Sequence, residues 1–162
     1  MEELLSMLSC KILAVGKLRE EMWQEAQEKY LLQLRPYVKC SVVEVEPEAV
    51  TASRGAEASK KMEAERLGKA IKDVERVILL AEGGKAFDSE KFALYIKKLD
   101  EAGVPVTFVI GGSEGWDEGF RSIYKEAISL SPLTFPHEMA RVVVLEQIYR
   151  AATINAGKTY HK

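Results

Sequence analysis

Residues 77–115 read VILLAEGGKAFDSEKFALYIKKLDEAGVPVTFVIGGSEG, and this stretch decides the fold. It opens with an apolar run, Val77 to Ala81, that lacks the polar alternation of a half-wet strand and so suits the middle of a parallel sheet. Asp88 stands where a helix N-cap belongs. Phe92, Tyr95 or Ile96, and Leu99 then recur on one helical face, and Gly103 ends the segment. Val104 to Ile110 is a second buried strand. Strand, helix and strand in this order form the crossover unit of a parallel sheet.

The alternation continues outward in both directions. Lys11 to Val15 (KILAV) is a short strand closed by Gly16. From Arg19 to Leu34, the residues Trp23, Ala26, Tyr30, Leu31 and Leu34 keep helical spacing until Pro36. Ser41 to Glu46 (SVVEVE) partly alternates, as a strand with one wet face does. Ala56 to Val74 is expected to be a helix with Ala64, Leu67, Ile71 and Val74 on its inner face. Gly115 to Ala127 reads as a short helix, Ile128 to Pro136 as an irregular stretch, and His137 to Asn155 as a final helix. The expected fold is α/β, a parallel sheet with helices on both faces. No internal repeat, linker or second domain is visible.

Composition narrows the function classes. The 162 residues fit one domain with a sizeable core. A net charge of −2 is not that of a polycation, so a nucleic-acid partner must be met by a local patch or by shape. No apolar run reaches the roughly 18 residues that cross a bilayer. Met1 to Ser9 lacks the basic start of a secretory signal. These features are those of a cytoplasmic protein. Cys10 and Cys40 read as buried, reduced thiols. With no Cys-x-x-Cys pair and only His137 and His161 available, no metal site is expected.

The final helix is apolar around most of its circumference: Met139, Val142, Val143, Val144, Leu145, Ile148, Tyr149, Ala151, Ala152 and Ile154 leave few polar positions. Such a helix must be covered on nearly all sides. A homodimer interface or a central position in a monomer would each achieve that.

Glycines gather after the two most apolar strands, as Glu82-Gly83-Gly84-Lys85 and Gly111-Gly112-Ser113-Glu114-Gly115. Ligands of open parallel sheets bind outside the carboxyl ends of the strands, where glycine lets backbone approach a ligand or take positive φ. Ordinary tight turns are the plainer alternative. Neither a dinucleotide fingerprint nor a phosphate loop is present. Ser129 to His137 (SLSPLTFPH) is irregular. Its freed backbone groups suit an adenine edge, while Leu130, Leu133 and Phe135 offer either apolar walls or plain core. The tail, Lys158-Thr159-Tyr160-His161-Lys162, sets an aromatic ring beside cations. That is the chemistry of a splayed RNA base, or simply a solvated end.

In order, VGK, the apolar strand with GGK, FVIGGSEG, LSPLTFPHEMARVVVLEQIYRA and the terminal YHK resemble the RlmH (YbeA-like) family of SPOUT methyltransferases. The likeness runs from Lys11 to Lys162, so Met1 to Cys10 is set apart as an extra segment and residues 11–162 as a single domain. The resemblance implies a C-terminal trefoil knot, an exception to the rule against knotted chains. It implies S-adenosylmethionine as cofactor, held at Leu80, Gly111, Leu130, Ser131, Pro132, Leu133, Thr134 and Phe135. It further implies a homodimer that methylates N3 of a pseudouridine in 23S ribosomal RNA on the assembled ribosome. His137, Tyr160, His161 and Lys162 fall at the positions tied to catalysis or substrate contact. Some members end in arginine, whose bidentate fork Lys162 cannot reproduce. Rival readings are a SPOUT enzyme with another RNA target, a non-catalytic dimeric ribosome-binding protein of this fold, and a flavodoxin-like nucleotide binder.

Overall fold

The computed structural model describes residues 7–161. Five strands and five helices alternate along the chain: β1 (Ser9–Val15), α1 (Glu21–Leu34), β2 (Lys39–Val45), α2 (Ala56–Lys69), β3 (Arg76–Ala86), α3 (Ser89–Glu101), β4 (Val106–Ile110), α4 (Glu118–Ile123), β5 (Ala127–Ser129) and α5 (His137–Asn155). The strands form one sheet in the order β2-β1-β4-β3-β5. Every pairing in it is parallel. β4 lies at the centre, where Phe108 faces Ile12 of β1 on one side and Ile78 of β3 on the other.

The apolar strands are apolar because both their faces are covered. Cys10, Ile12, Ala14, Ile78, Val106, Phe108 and Ile110 point toward α1, α3 and α5. Leu13, Val15, Val77, Leu79 and Val109 point toward the layer holding α2 and α4. Complete burial of one such side chain stabilises the fold by about 1.5–3 kcal/mol. Polar groups under α2 are paired. Lys11 donates to both Glu75 carboxylate oxygens at 2.9 and 3.0 Å and to the Ala70 carbonyl at 2.7 Å. The fully buried Thr107 hydroxyl donates to Glu75 at 2.8 Å.

α5 lies between α1 and α3 on the sheet. Val144, Leu145, Ile148, Ala151 and Ala152 are buried in the core. Among its half-buried residues, Met139, Val142, Val143 and Glu146 form a stripe at helical spacing. The sheet and two flanking helices therefore cover most of the circumference within one chain.

Several expected boundaries move. β1 starts at Ser9, with Leu8 and Cys10 buried, so the boundary drawn at Lys11 falls inside a strand. Cys40, its in-register neighbour, is half-buried rather than buried. α2 stops at Lys69 and leaves Val74 68% exposed, and its buried residues are Ser59, Glu63 and Leu67. The helix expected over Gly115 to Ala127 shrinks to α4, capped by Asp117, and Ala127 begins the short strand β5. Asp88 caps α3 as expected, accepting the Lys91 N–H at 2.8 Å.

β3 continues past the VILLA run to Ala86 by way of a bulge. Ile128 pairs with both Leu80 and Lys85, and the residues between them are pushed out of register. Gly84 permits this, because a Cβ there would lie 2.6 Å from the Ile128 carbonyl carbon.

Candidate active site

The bulge of β3, the end of β4 and the segment leading into α5 enclose a cleft of about 630 Å³. This is within the usual size of a small-molecule site, and it lies outside the carboxyl ends of the central strands. Leu80, Gly111, Leu130, Ser131, Leu133, Thr134, Phe135 and His137 all line it. Pro132 does not, and its side chain is exposed.

The 129–136 segment holds its shape through its own hydroxyls. Ser129 Oγ donates to the Ser131 carbonyl at 3.0 Å, and Ser131 Oγ accepts the Leu133 N–H at 3.0 Å. Thr134 Oγ1 donates to Glu82 Oε1 at 2.5 Å, tying the segment across the cleft to the β3 bulge. Trp116 packs face to face with Phe120, their centroids 5.8 Å apart. Its ring lies 3.3 Å from where a Gly111 Cβ would sit.

Two charged side chains line the cleft, Glu82 and Arg121, and Arg121 is exposed and forms no ion pair among the described residues. Glu82, Trp116 and Arg121 were not singled out as site residues from sequence. Glu82 was visible in the glycine loop, whereas nothing in the pattern of α4 distinguished Arg121 from a solvated residue.

His137 stands in the first turn of α5 at the edge of the cleft, and its buried Nδ1 has no hydrogen-bond partner among the described residues. Gly16 of the β1–α1 loop takes a positive φ of 90° and lies beside the imidazole, whose Cε1 is 3.5 Å from where a Cβ would sit. One turn later, Arg141 is fully buried. It donates to the Gly16 carbonyl at 2.9 Å and pairs with Glu44 of β2. The Arg19 N–H donates to Glu138 at 2.9 Å. The β1–α1 loop is thus pinned to the start of α5 from two sides.

The tail takes another place. The Tyr160 hydroxyl donates to Glu146 at 3.0 Å, and its ring packs edge-on against Tyr149. Arg150 covers the Tyr160 ring at 4.8 Å and lies 3.2 Å from His161 Nδ1. Burial and the adjacent Glu146 carboxylate push the Tyr160 phenol well above its ordinary pKa. Glu146 follows His137 by nine helical positions, about 14 Å along the axis. Tyr160 and His161 therefore do not line the cleft of their own chain. Lys162 lies outside the described residues. Among those residues, no group of His, Cys, Asp and Glu side chains is arranged as a metal site. No helix among the described residues is long and apolar enough to cross a membrane.

Comparison with known proteins matches residues 8–161 to a family described as a predicted SPOUT methyltransferase. A Lactobacillus helveticus protein named "Ribosomal RNA large subunit methyltransferase H" is 41% identical over 160 residues, covering 96% of this chain and 100% of that protein. Proteins of the same name from Desulfitobacterium hafniense and Geobacter sulfurreducens are 42% and 39% identical. They cover 96% and 95% of this chain and 100% and 99% of their own lengths.

Proposed function

Since this chain belongs to the SPOUT methyltransferase family, in the branch named for large-subunit ribosomal RNA, we propose that it methylates N3 of a pseudouridine in 23S ribosomal RNA on the assembled ribosome. The observation that carries this reading is the cleft. Two glycine-bearing loops and the 129–136 segment converge there, with His137 and its unpaired Nδ1 at the edge. S-adenosylmethionine would supply an electrophilic methyl group on a sulfonium.

The chain's own contribution is placement. Leu80, Leu130, Leu133 and Phe135 offer apolar walls, and the backbone of the 129–136 segment offers donors and acceptors for an adenine edge. Holding the reacting atoms in line supplies much of the acceleration of a displacement reaction. The acceptor N3 must lose a proton, for which an imidazole is the natural base. His137 or His161 takes that proton or orients the ring, and Tyr160 contacts the base as stacking surface or donor.

A homodimer is part of this proposal. The half-buried stripe Met139, Val142 and Val143 gives a second α5 an apolar surface to cover. A partner packed there would also bring another tail toward the cleft that its own chain's tail does not reach. The trefoil knot belongs to the same reading, supported by the family match over residues 8–161. A net charge of −2 suits a substrate recognised by shape more than by bulk electrostatics.

The test is transfer of labelled methyl from S-adenosylmethionine to ribosomes lacking this methylation, with ribosomes that also lack the pseudouridine as control. Label in large-subunit RNA that depends on the pseudouridine is the expected result. Label independent of it would point to another RNA target. Binding without any label would favour a non-catalytic protein of this fold.

A further inference from the structure

The inner face of α2 is unusual for a helix laid on a sheet, because two of its three buried residues, Ser59 and Glu63, are polar. Ser59 Oγ donates to the Ala49 carbonyl at 3.2 Å. Glu63 is 7% exposed and has no ion-pair partner among the described residues. Its Oε1 accepts the Glu48 N–H at 3.0 Å. Burial raises its pKa; the nearby Arg66 works against this and Glu114 adds to it. Arg66 is itself engaged with the Glu48 carboxylate, which also binds Arg54.

What the buried carboxylate faces is the loop after β4. Its Cδ and Oε1 lie 3.0 Å from the point where a Cβ on Gly112 would sit, and Oε2 lies nearer still. Gly112 does not have positive φ, so backbone freedom does not account for glycine here. Space does: Glu63 occupies the volume that any side chain would need. Gly112 in turn anchors the turn that closes the loop, its carbonyl accepting the Gly115 N–H at 3.1 Å. Gly111, Gly112, Ser113 and Gly115 all line the cleft.

We propose that Glu63 is a positioning residue for the cleft: its carboxylate, lodged against Gly112 and tied to the Glu48 backbone, holds the Gly111–Gly115 loop in the shape that receives the cofactor. The inference rests on the reading of that cleft as an S-adenosylmethionine site. It makes α2, remote in sequence from the glycine loop, part of the apparatus that shapes it. Because the carboxylate ends a flexible side chain, an alanine at 112 would displace it rather than break the sheet. The damage then falls on the loop and not on the global fold.

Calorimetric titration of the purified full chain with S-adenosylmethionine tests this, using Glu63→Ala, Glu63→Gln, Gly112→Ala and the Glu63→Ala/Gly112→Ala double variant. All should fold, as judged by circular dichroism and melting. Gly112→Ala should weaken binding by about tenfold, the equivalent of roughly 1.4 kcal/mol. Glu63→Ala should also weaken it, whereas Glu63→Gln, which keeps shape and acceptor, should stay close to wild type. The double variant should bind more tightly than Gly112→Ala alone, because the new methyl enters the space the carboxylate left. Hydrogen exchange at residues 111–115 supplies a readout that needs no cofactor, and Glu63→Ala should accelerate it. Wild-type affinity in folded Glu63→Ala, or a double variant as weak as the two losses combined, would overturn the proposal. A wild-type chain that binds no S-adenosylmethionine would sink the cofactor reading instead, and the exchange data would still decide the role of Glu63.

Discussion

Replacing Arg141 with methionine removes a fully buried guanidinium while keeping most of the side chain's length. Two charge-assisted hydrogen bonds disappear, one to the Gly16 carbonyl at 2.9 Å and one to Glu44. Each is worth about 1.5–3 kcal/mol, which sets a gross loss of roughly 3–6 kcal/mol. Two effects offset it. The cost of keeping a charge out of water, several kcal/mol, vanishes with the charge. The Glu44 side chain is 35% exposed, so the freed carboxylate can rehydrate. The Gly16 carbonyl, however, cannot recover its donor, and that part of the gross loss, about 1–3 kcal/mol, remains. The expected net loss is therefore about 2 kcal/mol, or roughly 4–8 °C in Tm for a chain of this size. Urea unfolding should show a lower midpoint with an unchanged slope. Glu44→Gln added to Arg141→Met should cost little more, because the two residues act as one unit. An Arg141→Met protein as stable as wild type would refute the reasoning and show that the ion pair contributes nothing beyond an apolar filler.

Gly84→Ala should destabilise by more than about 2 kcal/mol, because the new Cβ meets Ile128 backbone atoms at 2.6 and 2.7 Å; chemical denaturation measures it. Burial favours the protonated form of Glu75, but the bonds from Lys11, Thr107 and the Lys72 N–H outweigh it and lower its pKa. Its contribution is then fully present above the ordinary carboxylate range and lost as pH falls through the depressed folded value. Wild type should lose more stability than Glu75→Gln when urea midpoints are compared from neutral pH down past about 4. His161→Ala should lower methyl transfer to ribosomes far more than it lowers S-adenosylmethionine affinity by calorimetry, since His161 does not line the cleft of its own chain. Saturation with S-adenosylmethionine at 100 Kd should stabilise the chain by about 2.7 kcal/mol, and no thermal shift would remove the cofactor from the proposal.

The sheet was legible because its strands are covered on both faces, a condition that leaves a mark in Val77–Leu80 and Val106–Ile110 that few other structures leave. α5 was equally plain in extent, from His137 to Asn155. β5 was not: three residues, only Ile128 among them buried, are too few for a period to show. The inner face of α2 was misread for a different reason. Its pattern favours Ala64, Leu67, Ile71 and Val74, yet the helix stops before the last two, and Glu63 is turned inward. A buried carboxylate cannot be told from a solvated one by periodicity, since the partner that decides it, Gly112, is supplied by another element. The same holds for the separation of His137 from the tail, which depends on how the last residues fold back over α5.

The strand order has a consequence for how the chain is made. β1 emerges from the ribosome first, but its neighbours in the finished sheet are β2 and β4, and Cys10 waits for Val106. Until residue 110 has been synthesised, the sheet has no middle, and two apolar ribbons, β1 and β3, have nothing between them. Contacts so far apart in sequence make folding slow, and half-made sheets with bare edges invite aggregation. Translation that pauses before β4 should therefore be more hazardous to this protein than a pause after it.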